Sequence, residues 1–207
     1  MSPAAAPSSA PLVVRVADFA LGLTALGWVV REVASARPLT LVGATLGCLN
    51  LVVGMLFLLR RPAARVAPAL DSVLCLVSVP SSGVLLALAP APELWPWGAR
   101  GVFLGGAIVA VGSLLILGRS FGVLPALRGL VQAGPYRLVR HPIYLGELVM
   151  VLGCALATRS TAGYATAALA LALVVMRIRI EERLLTQSDA YREYQARARF
   201  RLLPGLW

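Results

Sequence analysis

Residues 39–59 read LTLVGATLGCLNLVVGMLFLL and contain no charged side chain. At 1.5 Å per residue, an α-helix of this length would measure about 31 Å, which matches the hydrocarbon core of a bilayer. An uninterrupted apolar run of this kind is typical of a transmembrane helix and is longer than a small soluble core requires. The stretch therefore predicts a membrane-spanning helix.

The composition of the whole chain extends this prediction to the rest of the protein. Of its 207 residues, 59% are hydrophobic and 14% are charged, and the mean hydropathy is +0.83. Five or six membrane crossings of about 20 residues each would account for most of the chain. Too few residues would remain for a separate Rossmann or P-loop domain, which is therefore excluded. One histidine and three cysteines without CxxC spacing indicate neither a metal site nor a disulfide framework.

Further apolar segments on either side of residues 39–59 predict the other helices of a bundle. The predicted spans are 12–33, 39–59, 69–89, 101–117, 143–158 and 161–176. The last two are short, at about 16 residues each, and form a tight hairpin. The sequence thus predicts an all-α integral membrane protein with about six transmembrane helices, five being the alternative. Residues 1–11 are predicted to be a disordered tail, and residues 177–201 a polar helical tail.

The distribution of charge predicts the orientation in the membrane. The net charge is +10, and all 19 basic residues are arginines. Most arginines lie where apolar segments end, which favours membrane orientation over nucleic-acid binding. Successive spans cross the membrane in opposite directions. On this basis, fourteen arginines lie near span ends on one side of the membrane and four on the other side. The positive-inside rule therefore places both termini in the cytoplasm. Two glycine pairs, Gly43/Gly47 and Gly101/Gly105, are expected to pack helices within the bundle, with a dimer interface as the alternative.

Polar residues that suit a binding site concentrate in the last third of the chain. Residues 134–147 read GPYRLVRHPIYLGE, and Pro142 is suited to the first turn of the following helix. His141 would then stand at a helix N-terminus, where unpaired N–H groups and the helix dipole favour a carboxylate or a phosphate. Tyr144 and Leu145 would share the face of His141, and Gly146 would leave the backbone open to a ligand.

A second polar cluster lies at the end of the last span, where residues 177–185 read RIRIEERLL. Arg177 and Glu181 are four residues apart and share a helix face, whereas Glu182 points elsewhere. One carboxylate can therefore pair internally while the other meets a ligand. Because the hairpin returns both clusters to one side of the membrane, we expect a single pocket with acidic groups, a helix N-terminus and apolar walls.

Each of these features also has an ordinary structural explanation. A basic flank with a helix-starting proline is common at membrane borders, and an acidic helix end is usually solvated. Tyr191 and Tyr194 would ordinarily anchor an amphipathic tail at the headgroups. The order of the motifs, with a hairpin between them, favours a functional site.

The combination of motifs resembles a known family. GPYRLVRHPIYLG, the hairpin, EERLL and then AYREYQARARFRLLPG at 190–205 are similar to the isoprenylcysteine carboxyl methyltransferase family and the related membrane phospholipid methyltransferases. The resemblance covers residues 118–207, which it implies are the methyltransferase core, whereas residues 12–117 match only as variable transmembrane helices. It implies an enzyme whose methyl donor, S-adenosylmethionine, lies in a cytoplasm-facing pocket closed by the C-terminal segment.

The same resemblance implies roles for individual residues. Glu181 and Glu182 would receive the amino or ribose groups of the donor, and Arg140 and Arg177 would lie near the reacting end. The residues that would border the donor are Gly134, Tyr136, Val139, His141, Tyr144, Leu145 and Gly146.

The acceptor is expected to be a lipophilic molecule, and its reacting group decides which residues are catalytic. A carboxylate acceptor needs no base, and Arg177, with Arg140 second, would hold it by a two-pronged contact. An amine or thiol would need a proton acceptor, for which His141 and Glu147 are the candidates. Glu147 departs from the bulky apolar or aromatic residue that is common at this position in relatives.

These considerations predict carboxyl O-methylation of a prenyl-type or lipid acid. The alternatives are N-methylation of a phospholipid of the phosphatidylethanolamine type, thiol S-methylation, and a non-enzymatic membrane scaffold. The composition, rich in alanine and arginine and without lysine, is typical of a GC-rich bacterium and predicts the bacterial inner membrane. Membrane lipids are the expected partners of a monomer or homodimer, and neither a metal nor nucleic acid is expected.

Overall fold

The computed structural model describes residues 12–35, 39–61, 63, 65–205 and 207, and the predicted N-terminal tail 1–11 lies outside this range. Helices dominate the described residues. In chain order they are α1 (Leu12–Ala34), α2 (Leu41–Leu59), α3 (Ala69–Leu88), α4 (Trp97–Leu117), α5 (Pro142–Thr158), α6 (Thr161–Leu185) and α7 (Asp189–Arg197). Two strands of two residues each, β1 (Arg65–Val66) and β2 (Ala126–Leu127), pair antiparallel between the helices.

Length and hydropathy allow several of these helices to cross a membrane. Within the described residues, four helices meet both requirements, namely α2, α3, the span that contains α4, and α6, while α5 is a shorter apolar helix of 17 residues. Many large apolar side chains on these helices are exposed, as expected for surfaces that face lipid. The prediction of an all-α integral membrane protein is confirmed.

The sequence of each helix start explains where the helix begins. The Thr40 hydroxyl accepts a hydrogen bond from Gly43 N at 3.0 Å and caps α2, and the Ser160 hydroxyl accepts one from Gly163 N at 3.1 Å and caps α6. Pro142 is the first residue of α5, as predicted. The hairpin between α5 and α6 turns at Arg159, which has a φ of 48°.

The last predicted span, 161–176, continues without a break into the predicted polar helical segment. Helix α6 ends at Leu185, so it is 25 residues long and carries both Arg177 and the two glutamates. Apolar patterning stops at 176, but arginine, glutamate and leucine all favour helix and allow the backbone ladder to continue. Arg177 and Glu182 are buried inside the protein. Charged residues in this part of α6 therefore do not show that the helix is exposed to water there.

The closest helix crossing joins α4 and α5 through glycines. A Cβ atom built on Gly146 would lie 2.6 Å from both Ala110 N and Gly106 O, and one on Gly153 would lie 2.8 Å from Phe103 N. Small residues allow this backbone contact, which fixes the position of α5. By contrast, a Cβ on Gly101 or Gly105 would have no atom within 4 Å, so the prediction that this pair packs inside the bundle is wrong.

We expect Gly146→Ala to destabilise the protein by about 1–3 kcal/mol, because the added methyl group meets backbone atoms of α4 that cannot rotate away. Gly105→Ala is the matched control, since its methyl group would enter open space. Thermal unfolding in detergent measures both. Equal midpoints for the two variants would contradict the crossing described above.

Contacts between helix ends show that odd-numbered helices start at the end of the bundle where even-numbered helices finish. Asp18 near the start of α1 forms an ion pair with Arg60 after α2. Asp71 at the start of α3 lies 4.0 Å from Arg183 near the end of α6. Arg119, which follows α4, donates from Nε to the carbonyl of Leu59 at 2.8 Å. We call this end of the bundle, where α1, α3 and α5 start and α2, α4 and α6 end, the site end.

Candidate active site

The start of α5 is covered by a segment from the C-terminal part of the chain. Arg140 N donates to Phe200 O and His141 N donates to Arg201 O, both at 2.9 Å. Val139 and Phe200 form a parallel bridge. Residues 198–203, which we call the strap, thus run alongside the residues that precede α5.

Glu182 joins the strap to both polar clusters. Its Oε1 accepts a hydrogen bond from Arg140 Nε at 2.7 Å and lies 3.2 Å from His141 Nε2. Its Oε2 accepts one from Arg201 Nε of the strap at 2.6 Å. Arg140 also donates from Nη1 to the carbonyls of Ala198 and Arg199, each at 2.8 Å. Glu182 is therefore the internally paired carboxylate of the two.

Glu181 has a different environment on the neighbouring face of α6. It accepts a hydrogen bond from the Tyr144 hydroxyl at 3.0 Å. The Arg177 guanidinium lies 4.9 Å from the centre of the Tyr144 ring, and its Nη1 is 3.8 Å from Glu147 Oε2. Arg177 Nε is buried and has no hydrogen-bond partner among the described residues. Tyr144, Glu147, Arg177 and Glu181 together form what we call the polar wall.

Three buried tyrosines surround the polar wall. The Tyr136 hydroxyl donates to Ser113 O at 3.2 Å, and the Tyr194 hydroxyl donates to Tyr136 O at 2.7 Å. The Tyr191 hydroxyl is buried without a hydrogen-bond partner in the described part of the chain. Burial raises the pKa of all three phenols, that of Tyr194 to about 12. They therefore remain protonated donors at neutral pH.

The polar wall faces a cavity of about 670 Å³ that continues between the helices. From the site end, the cavity passes α2, α3, α4 and α5, and its lining includes Leu117 near the end of α4 as well as Phe103 near its start. These two positions are about 21 Å apart along the helix. Its apolar part is lined by Leu46, Leu49, Val53, Leu86, Leu114, Met150 and Val151.

The structure brings a majority of the predicted site residues to this cavity. Those that line it are Tyr136, Arg140, His141, Tyr144, Glu147, Arg177 and Glu181. The prediction that the two distant clusters meet at one end of the hairpin is confirmed by the contacts of Tyr144 with Glu181 and of Arg140 with Glu182.

The structure places the other predicted site residues outside the lining. Gly134 has a φ of 57° and turns the chain beside Ile116, while Val139 pairs with Phe200 of the strap. Leu145 packs on the apolar cluster that includes Ile178, and Glu182 is enclosed by Arg140, His141 and Arg201. Gly146 does not leave the backbone open to a ligand, because α4 packs against it.

Sequence reasoning missed some lining residues. The sequence predicts Tyr191 and Tyr194 to be headgroup anchors, yet their exposed fractions are only 4% and 3%. The signal for their burial is their three-residue spacing on α7, which places them on one face. Arg128, which no motif in the sequence singles out, also lines the cavity. Within the described ranges, no group of three or more His, Cys, Asp or Glu side chains is placed to hold a metal ion.

Comparison with known sequences supports the class of membrane methyltransferases. Residues 100–192 match the phospholipid methyltransferase family, and this range contains both polar clusters and the first turn of α7. The resemblance to the membrane phospholipid methyltransferases is confirmed over residues 118–192, whereas the resemblance to the isoprenylcysteine carboxyl methyltransferases stays a prediction.

A second comparison finds similarity to a protein of Cupriavidus metallidurans. A stretch of 71 residues, 34% of this chain, is 44% identical to the cobalt-zinc-cadmium resistance protein CzcN. The match spans about a third of that relative's length, 32%.

Proposed function

We propose that the protein is an S-adenosylmethionine-dependent methyltransferase that acts on a lipophilic acceptor within the membrane. The observation that carries this proposal is the cavity, which joins a wall of charged and phenolic groups to an apolar space between transmembrane helices. Its volume of about 670 Å³ lies within the usual range of small-molecule sites. The family match over residues 100–192 supports the same reaction class.

The residues of the polar end fit the chemical groups of the donor. S-adenosylmethionine carries an ammonium, a carboxylate and ribose hydroxyls, and it supplies a methyl group from a positively charged sulfur. Glu181 suits the ammonium, and the positive end of the α5 dipole suits the carboxylate. The buried Tyr191 hydroxyl, which has no partner among the described residues, suits a ribose oxygen. A buried hydroxyl without a protein partner is free to hydrogen-bond a ligand atom or a water molecule.

Arg177 is the residue best placed to orient an acceptor. Its guanidinium packs on the Tyr144 ring, and its Nε is buried without a partner in the described residues. Arg140, by contrast, has Nε and Nη1 engaged by Glu182 and the strap. A free guanidinium edge binds a carboxylate by two hydrogen bonds. This difference favours O-methylation of a lipid acid, held by Arg177.

N-methylation is the second candidate, and Glu147 is the observation that favours it. Its carboxylate lines the cavity 3.8 Å from Arg177 and stands where a proton acceptor for an amine would be useful. The phospholipid methyltransferase match points to the same chemistry. With a carboxylate acceptor Glu147 has no proton to accept, so the identity of the methylated group distinguishes the two candidates.

The remaining task of the site is to align the reactants and exclude water. The strap and α7 cover the polar end, where Tyr191 and Tyr194 are buried. The apolar part of the cavity admits a hydrocarbon chain along α2 and α4. We infer that Arg177 holds the acceptor group while the Glu181 side chain, one helical turn further along α6, holds the donor.

We expect the purified protein to bind S-adenosylmethionine with micromolar-range affinity and to transfer its labelled methyl group to a component of a bacterial lipid extract. Calorimetry in detergent measures binding, and mass spectrometry of the extract identifies the methylated carboxylate, amine or thiol. Folded protein that shows neither donor binding nor labelled product would overturn the proposed function and favour a membrane scaffold.

We further propose that the site end faces the cytoplasm of a bacterial cell membrane. The arginine-rich segments follow α2, α4 and α6 and so lie at the site end, as the positive-inside rule requires for the cytoplasmic side. A cysteine introduced after Trp207 should react with an impermeant maleimide only after the cells are opened. Labelling of intact cells would contradict this orientation.

A further inference from the structure

An asparagine lies in the middle of transmembrane helix α2. Apart from Asn50, this helix consists of apolar residues, glycines, a cysteine and Thr45. The Thr45 hydroxyl donates to Leu41 O at 2.7 Å, so the helix itself satisfies that group. The Asn50 amide, by contrast, has no hydrogen-bond partner among the described residues. An amide in a membrane-spanning helix costs free energy unless another group binds it.

Asn50 faces the cavity. It lines the cavity together with Leu46 and Val53, which lie four residues before it and three residues after it on the same face of α2. An asparagine that joined two transmembrane helices would hydrogen-bond a polar group of the second helix, and the described part of the chain offers it no such partner. Helix packing therefore does not explain why an amide occupies this position.

The crossing of α4 and α5 fixes the depth of Glu147 in the bundle. A Cβ atom built on Gly106 would lie 2.6 Å from Met150 N, and one built on Gly146 would lie 2.6 Å from Ala110 N. Because the two helices are antiparallel, Glu147 is level with position 109 of α4. This level lies about 12 Å from the end of α4 at Leu117.

The depth of Asn50 follows from the end of α2. Arg119, just after α4, donates from Nε to Leu59 O at 2.8 Å, and its own carbonyl accepts from Arg61 N at 2.8 Å. The ends of α2 and α4 are therefore level with each other. Asn50 precedes Leu59 by nine residues, which is about 14 Å along the helix. Asn50 and Glu147 thus line the cavity at nearly the same depth.

Arg177 reaches this depth as well, since its Nη1 is 3.8 Å from Glu147 Oε2. An acceptor carboxylate held by Arg177 would place its neighbouring carbon atoms at the level of Asn50. The asparagine amide both donates and accepts hydrogen bonds, and a hydroxyl is the small neutral group that does the same. A plain hydrocarbon chain would leave the amide without a partner.

We propose that Asn50 determines acceptor specificity by hydrogen-bonding a hydroxyl that the acceptor carries close to its carboxylate. This inference rests on the proposed function, in which Arg177 holds a lipophilic acid, and it narrows the acceptor to a hydroxylated lipid acid. Sites that hydrogen-bond a ligand group discriminate against analogues that lack the group, because the protein partner is then left unpaired.

Three acids of equal chain length test this proposal by native mass spectrometry of the full chain in detergent. Octadecanoic acid has no hydroxyl, β-hydroxyoctadecanoic acid has one beside the carboxylate, and ω-hydroxyoctadecanoic acid has one at the far end of the chain. We expect the β-hydroxy acid to bind about fivefold to tenfold more tightly than octadecanoic acid, the scale of one buried hydrogen bond. The ω-hydroxy acid should show no such gain.

Two variants of α2 assign this preference to the amide. Asn50→Leu keeps the branched shape of the side chain but removes its hydrogen bonds, so it should bind octadecanoic acid like wild type and lose the preference for the β-hydroxy acid. Thr45→Val is the matched control, because it removes a polar group that the helix already satisfies. It should keep the preference.

Three results would overturn the proposal. Wild-type protein might bind the three acids equally, or folded Asn50→Leu might retain the preference for the β-hydroxy acid. A large fall in the unfolding midpoint of Asn50→Leu would show instead that the amide holds the helices together. Calorimetry with S-adenosylmethionine keeps these failures distinct from failure of the proposed function, because donor binding does not depend on Asn50.

Discussion

Glu182→Ala is expected to lower the free energy of unfolding by about 3–5 kcal/mol, because it leaves the buried Arg140 guanidinium without its carboxylate partner. Arg140, His141 and Arg201 all lie within 3.2 Å of this side chain. The strap should separate from the start of α5, and binding of S-adenosylmethionine should weaken with it. Denaturation in detergent and calorimetry at low temperature measure the two effects.

Glu193→Ala is the matched control for this prediction, since Glu193 is an exposed glutamate on α7. It should change the free energy of unfolding by less than about 0.5 kcal/mol. Glu182→Gln keeps the shape of the side chain but not its charge, so it should fall between the two. If Glu182→Ala unfolded like wild type, Glu182 would not hold the strap.

Arg177→Ala is expected to lower turnover by about 100-fold while donor affinity remains within about twofold of wild type. The reason is that the lost contact orients the acceptor, and misalignment acts on the reacting complex. Glu181→Ala should show the opposite pattern and weaken donor binding by about 1.5–3 kcal/mol, through loss of a charge-assisted hydrogen bond. Measuring donor affinity and methyl transfer on both variants separates the roles.

Two further substitutions sharpen this second prediction. Arg177→Lys should recover little activity, because an ammonium lacks the planar edge that holds two oxygens. Arg179→Ala removes an exposed arginine from the same helix and should behave like wild type. The assignment would be reversed if Arg177→Ala abolished donor binding while Glu181→Ala did not.

Local patterns in the sequence predicted the helices and the general position of the site. Pro142 predicted the start of α5, and the uncharged run at 39–59 predicted α2 to within two residues. Both features depend on interactions within a few residues, namely backbone geometry and transfer of side chains into lipid. The meeting of the two polar clusters followed from the hairpin, because two antiparallel helices must return to the same side.

Features that depend on the rotation of one helix against another were not predicted from sequence. Successive residues of a helix differ by about 100° in direction, so a small rotation decides whether Glu181 or Glu182 faces the cavity. A small rotation of α4 likewise decides that Gly106, and not Gly105, contacts α5 where the two helices cross. The burial of Tyr194 depends on a hydrogen bond to Tyr136, which is distant in sequence.

The length of the cavity has a kinetic consequence for an enzyme of the proposed kind. Its polar end lies at the site end, whereas its apolar part extends between helices toward Phe103. The donor would thus arrive from a three-dimensional aqueous pool and the acceptor from a two-dimensional lipid phase. Saturation by the acceptor would depend on its mole fraction in the bilayer. Added inert lipid would therefore lower the effective concentration of the acceptor and leave that of the donor unchanged.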